Sequence, residues 1–119
     1  MKVAITAMGT EMASSVDPRF GRAKNFIVVD TETGAMSVHD NAQNLNAAQG
    51  AGIQAGETVA RLGVEAVISA HVGPKAFRTL AAAGIAVYLF TDGTLAEALR
   101  QFKAGTLKTA TAANVEGHW

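Results

Sequence analysis

The sequence predicts a three-layer α/β domain on a mixed five-stranded sheet, and three observations lead there. The amino-terminal half is written in short β-branched and aromatic runs; the carboxy-terminal half alternates strand-sized apolar runs with helix-period segments; glycine or proline marks most of the boundaries. A hairpin-containing half followed by βα units requires a sheet with both parallel and antiparallel neighbours and helices on its faces.

Taken in order, Lys2–Ala7 and Asn25–Asp30 read as strands, and Ala35–Asp40 alternates Met36 and Val38 against Ser37 and His39. Thr31-Glu32-Thr33-Gly34 joins the last two as a hairpin. From Gln49 to Leu62 the period becomes helical, with Ile53, Gly56, Val59 or Ala60 and Leu62 or Gly63 on one side, and Gly63 sits where a C-cap belongs. Val64–Ser69 is the fourth strand. A second helix opens at Pro74, whose fixed φ and missing N–H suit the first helical position, and stops at Gly84. Ile85–Phe90 is the fifth strand. Thr94 and Glu97 have the spacing of a capping box, in which each satisfies the other's free backbone donor, for a third helix that closes at Gly105. The final fourteen residues lack clear periodicity. With the first three strands as a meander and the next two added beyond strand one, the order is 3-2-1-4-5 with strand two antiparallel, a ribonuclease-H-like layout. Connections then leave strands one and four in opposite directions, and a crevice opens above their carboxyl ends. Met8–Lys24 and Ala70–Lys75 line it.

Composition narrows the function classes. The 119 residues, 49% apolar, suit one globular domain and are too few for two. Ten Lys plus Arg balance ten Asp plus Glu, so no general attraction draws the chain to nucleic acid or an anionic membrane. The absence of cysteine excludes a disulfide framework, a thiolate nucleophile and a Cys-ligated cluster. The opening apolar run stops at Gly9-Thr10-Glu11, short of a signal-peptide core, and no run approaches the roughly 20 residues of a membrane span. A soluble cytoplasmic protein is expected. The first strand lacks the carboxylate that two-metal nuclease chemistry needs on this layout, and no GxxxxGK[ST], GxSxG or GxGxxG string occurs.

Three segments carry chemistry. His71-Val72-Gly73-Pro74-Lys75 leaves a buried strand and enters a helix whose free N–H groups attract anions; the plain alternative is a turn in which Gly73 and Pro74 serve geometry alone. Asp17-Pro18-Arg19-Phe20-Gly21-Arg22 gives the long loop a core, with Gly21 permitting a close backbone approach, Phe20 an apolar face and Arg22 a planar donor group. Its alternative has Phe20 in the core and Arg22 paired with Asp17 or Asp30. In Asn44–Gly52, either Asn44 or Asn46 can cap the first helix. Gly50 and Gly52 in its first turn imply either an irregular backbone, a close approach or tight packing on the sheet. Met8–Lys24 and Asn41–Gly52 also have few bulky residues to pin them, so both are expected at the low end of local stability. His39, His71 and His118 form no helical zinc pair, and His71 is the best placed of the three.

Asp17-Pro18-Arg19-Phe20-Gly21-Arg22-Ala23, Asn44 with Gly50-Ala51-Gly52, Leu62-Gly63-Val64 before Val67-Ile68, Gly73-Pro74-Lys75-Ala76-Phe77, Ala83-Gly84-Ile85 and Thr94 together resemble the dinitrogenase iron–molybdenum cofactor biosynthesis family over nearly the whole chain. The resemblance implies a ribonuclease-H-like fold and a protein that stores, carries or helps assemble a polynuclear metal–sulfide cluster. The cysteine-free, stand-alone chain is most similar to the branch holding a molybdenum–copper sulfide cluster non-covalently; a related iron–molybdenum–sulfur cluster is the other cofactor implied. Cluster donor and acceptor proteins are implied as partners, and turnover is not. Several relatives have histidine where this chain has Gln49, and an amide is a weak metal ligand. A sulfide-saturated cluster needs only a pocket of matching charge and shape, built here from Met8, Phe20, Gly21, Arg22, Asn44, Gln49, Gly50, Ile53, His71, Val72, Gly73, Pro74 and Lys75. The rival expectations are an enzyme acting on a small anionic metabolite in the same crevice, with His71 as acid or base, and a regulatory protein-interaction module.

Overall fold

The computed structural model describes residues 1–41 and 50–111. Its elements are β1 Lys2–Ala7, β2 Asn25–Asp30, β3 Met36–Asp40, α1 Ala51–Arg61, β4 Ala66–Ser69, α2 Pro74–Ala82, β5 Ala86–Leu89, α3 Leu95–Ala104 and β6 Lys108–Thr109. The ribonuclease-H-like layout holds. The sheet runs β3-β2-β1-β4-β5-β6, with β2 antiparallel to both neighbours and β1, β4 and β5 parallel.

One correction concerns the carboxy-terminal segment, where a sixth strand pairs antiparallel with β5 through Tyr88↔Thr109 and Leu89↔Lys108. Two residues are too few for alternation to register, so the strand has no local sequence signal. Leu107 packs on one face and Ala110 on the other, and the Ala110 N–H donates to the Val87 carbonyl at 2.8 Å.

Alternation along the strands sorts the core into two halves. Ala4, Phe26, Val28, Val67 and Val87 face α1 and α2 through Ala55, Val59, Ala76 and Leu80. Val3, Ile5, Ile27, Val29, Ala66 and Ile68 face α3 through Leu95 and Ala98. Each fully buried Ile, Leu or Phe among them contributes about 1.5–3 kcal/mol of transfer free energy. α1 and α2 lie close because Gly56 presents no side chain: a Cβ there would stand 2.8 Å from Cγ2 of Thr79.

The turns follow the sequence reading in detail. At the β2–β3 hairpin, Asp30 Oδ1 accepts from the Glu32 and Thr33 N–H groups at 2.9 and 3.4 Å, and Gly34 takes a positive φ of 77°. Gly50 is the N-cap of α1 at φ 81°, outside the helix, so only Gly52 of the pair lies within it, and that residue is buried. The α3 box is half made. Thr94 Oγ1 accepts from Glu97 N–H at 3.2 Å, while the Glu97 carboxylate turns to Arg100 and Gln101.

Those bonds, Arg100 first and Gln101 second, hold the Glu97 carboxyl at about 2 against an ordinary 4.5. A depressed folded-state pKa stabilises above the unfolded value and loses that contribution as pH falls through the folded one. The stability advantage of the parent over Glu97→Gln is therefore constant above about pH 4.5 and vanishes towards pH 2, as read from urea midpoints across the acid range, with salt reducing it throughout.

Candidate functional site

The crevice expected from the sequence falls at the carboxyl edge of the sheet, where β1 and β4 end side by side. Its floor is polar where the strands around it are apolar. Thr6 Oγ1, fully buried on β1, donates to the Asp17 carbonyl at 2.6 Å and bonds Ser69 Oγ at 2.9 Å, fastening the β1 loop to the end of β4.

Asp17 organises that loop. Its buried carboxylate accepts from the Arg19 N–H at 3.1 Å and the Lys24 N–H at 3.2 Å, and the Arg19 Nε stands 3.6 Å from Oδ1. Asn41, equally buried, donates through Nδ2 to the Gly21 and Ala23 carbonyls at 3.2 and 2.9 Å. The loop also pairs with the strand exit beside it: His71 N–H donates to the Pro18 carbonyl at 2.7 Å, and Phe20 N–H to the His71 carbonyl at 3.1 Å. With bridges Ala7↔Val16 and Ser15↔Thr94 added, and Val16, Phe20 and Ala23 buried, Ser15–Lys24 is pinned along its length. This corrects the expectation that few bulky residues hold it: the pins are long-range.

Of the residues singled out, Phe20 and Val72 are fully buried in the core on the α1–α2 side, Phe20 with its ring centroid 5.7 Å from that of Phe26. This corrects their expected place in the pocket wall: both are core residues with no face open to a ligand. Gly21 is buried under Asn41, Arg22 is half-buried, and Met8 and Ile53 are exposed, the latter in the first turn of α1. Gly50 caps α1; Gly73, buried, caps α2; Pro74 occupies the first position of α2, followed by exposed Lys75. His71 is half-buried with its Nδ1 shielded from solvent. Asn44, Gln49 and His118 lie outside the described residues. The sequence reading gave no role to Thr6, Ser69 or Asn41; a threonine inside an apolar strand was the available signal.

The electrostatics follow from the folding of two segments. Residues 17–24 and 70–78 carry Arg19, Arg22, Lys24, Lys75 and Arg78 against a single carboxylate, Asp17, which is buried and engaged by amides. α1 and α2 both run antiparallel to β1 and β4, so both amino termini reach this edge of the sheet. Neither cap supplies a side-chain acceptor, and neither first turn contains an acid. α3, capped by Thr94 with Glu97 in its first turn, packs on the other face. Among the described residues no group of three or more His, Asp or Glu stands ready to ligate a metal ion, and no helix is long and apolar enough to cross a membrane.

These features define an open α/β protein of the ribonuclease-H-like class. The chain belongs to the dinitrogenase iron-molybdenum cofactor family, which it matches over residues 1–105. Its structure is similar to the apo form of the orange protein from Desulfovibrio gigas, with a TM-score of 0.93 and 39% identity over 96% of each chain. It is similar also to the NMR structure of a Thermotoga NifB candidate, with a TM-score of 0.85 and 40% identity over 98% of each. An uncharacterised protein of Methanocaldococcus jannaschii is 29% identical over 110 residues, 91% of this chain and 90% of that one.

Asp17→Ala removes the acceptor of two loop amides and leaves Arg19 without this carboxylate. We expect a loss of about 1–3 kcal/mol in urea unfolding, with faster hydrogen exchange at Arg19 and Lys24 and unchanged exchange in β2.

Proposed function

We propose that the protein binds an anionic polynuclear metal–sulfide cluster non-covalently in this crevice, and stores it or passes it between a donor and an acceptor protein. The observation that carries the reading is the excess of cations in segments 17–24 and 70–78 beside two helix amino termini without side-chain caps. Free N–H groups and aligned peptide dipoles favour negative charge, and Arg22 and Lys75 add donors. A cluster saturated by its own sulfides requires no protein thiolate, and the chain offers none.

The resemblance drawn from the sequence favours a molybdenum–copper cluster; an iron–molybdenum–sulfur cluster is the alternative cargo, after the family's own description. In this reading the exposed Met8 and Ile53 form apolar rims, Gly50, Gly73 and Pro74 shape the backbone cradle, and His71 stands at its side. The role is carriage by a cytoplasmic protein rather than turnover.

Anaerobic purification from the native source, with elemental analysis for Mo, Cu and Fe and a visible spectrum, tests the reading. Stoichiometric metal with a sulfide-to-metal charge-transfer band, retained after treatment with an alkylating reagent, is the expected result. Colourless, metal-free native protein overturns it.

In the loaded protein, Arg22→Ala and Lys75→Ala each weaken cluster retention by about tenfold or more while leaving thermal unfolding nearly unchanged, and retention falls as salt rises. Equilibrium dialysis against a tetrathiomolybdate competitor measures both effects.

A further inference from the structure

At the opposite edge of the sheet from the crevice, a hollow of about 300 Å³ opens on the α1 side of β1, β2 and β3. That is the lower end of the size range of small-molecule sites. It exists because the α1–α2 layer stops short of the β3 edge: Val28, on the central part of β2, forms its floor, and Leu62, at the end of α1, one wall.

Its polar groups have a particular arrangement. Lys2 and Asp30 are directly opposite across the β1–β2 ladder, and among the described residues no ion pair joins them. Asp30 Oδ1 is engaged by the hairpin amides and stands 4.0 Å from the chain's own amino-terminal ammonium; Oδ2 makes none of these contacts. Deeper along β3, Ser37 Oγ and His39 Nε2 are bonded to each other at 2.9 Å and close the far end.

A simple anion placed here gains Lys2 and is repelled by Asp30, and a simple cation meets the reverse. A molecule carrying both charges a few ångströms apart satisfies both, since side chains directly opposite on antiparallel strands are separated by about 4.5–5.5 Å at Cβ. We propose that the hollow is a second ligand site, for a free α-amino acid with an apolar side chain. The carboxylate lies at Lys2, the ammonium at Asp30, and the side chain over Val28 and Leu62, in a strip bounded by the Ser37–His39 pair.

The test is a titration of L-leucine into the isotope-labelled full chain, followed by amide shifts. Saturable shifts are expected at Lys2, Asp30, Ser37 and His39, with Arg19, Lys24 and His71 unmoved. Isocaproate, lacking the ammonium, and isoamylamine, lacking the carboxylate, bind at least about tenfold more weakly, because each forfeits one charge-assisted contact. Lys2→Met, an exposed position, lowers leucine affinity by a similar factor without changing the melting temperature, and Asp30→Asn, which retains an acceptor for the hairpin, does the same. No saturable shift with leucine overturns the proposal, as does isocaproate binding as tightly as leucine.

Discussion

Everything at the carboxyl edge of the sheet depends on one buried carboxylate. An ionised group out of water is tolerated only when its oxygens are engaged, and Asp17 meets that requirement with two amides of its own loop and the Arg19 guanidinium. The requirement works in both directions: a chain that must satisfy Asp17 must also fold residues 19–24 back around it. Thr6 and Ser69 anchor the Asp17 backbone, and Asn41 takes the carbonyls that the curled loop turns inward. All four of the buried polar residues among those described thus serve one loop.

That loop sets the charge of the crevice. It carries Arg22 and Lys24, and segment 70–78 carries Lys75 and Arg78, while the single carboxylate of the two segments, Asp17, is buried and engaged by amides. The formal balance of the whole chain is zero, so the excess of cations in these two segments is local. The pairing of Pro18 and Phe20 with His71 fixes the spacing between the two cationic segments, because backbone ladder bonds hold one against the other.

The strands, helices and sheet order were legible because each rests on a local signal: alternation in β3, Pro74 at a helix start, glycines with positive φ after the helices at Gly63, Gly84 and Gly105. β6 was not legible, being held by neighbours rather than by its own pattern. The loop divides the same way. Its motif pointed to Asp17, Phe20 and Arg22, yet the partner that stands beside the Asp17 carboxylate is Arg19, and Asp30 is committed to its own hairpin. Glycine and few bulky residues suggested slack, whereas the restraints come from Thr6 on β1, from Asn41 and from His71 and Gly93 far along the chain, through the bonds of His71 N–H to the Pro18 carbonyl and of Val16 N–H to the Gly93 carbonyl. Hydrogen bonds spanning such distances leave no periodic trace in the chain.

The two helix amino termini at the crevice have an evolutionary consequence. A side chain that binds a ligand is lost by one base change, but a peptide N–H is present whatever residue carries it, proline excepted. Part of the attraction for negative charge at this edge therefore belongs to the topology. In the proposed reading, exchange of rim residues would retune which anion is accepted, while the N–H groups are inherited with the backbone. The sequence drift among the similar proteins, 39% and 40% identity at TM-scores of 0.93 and 0.85, is of the kind such an arrangement permits.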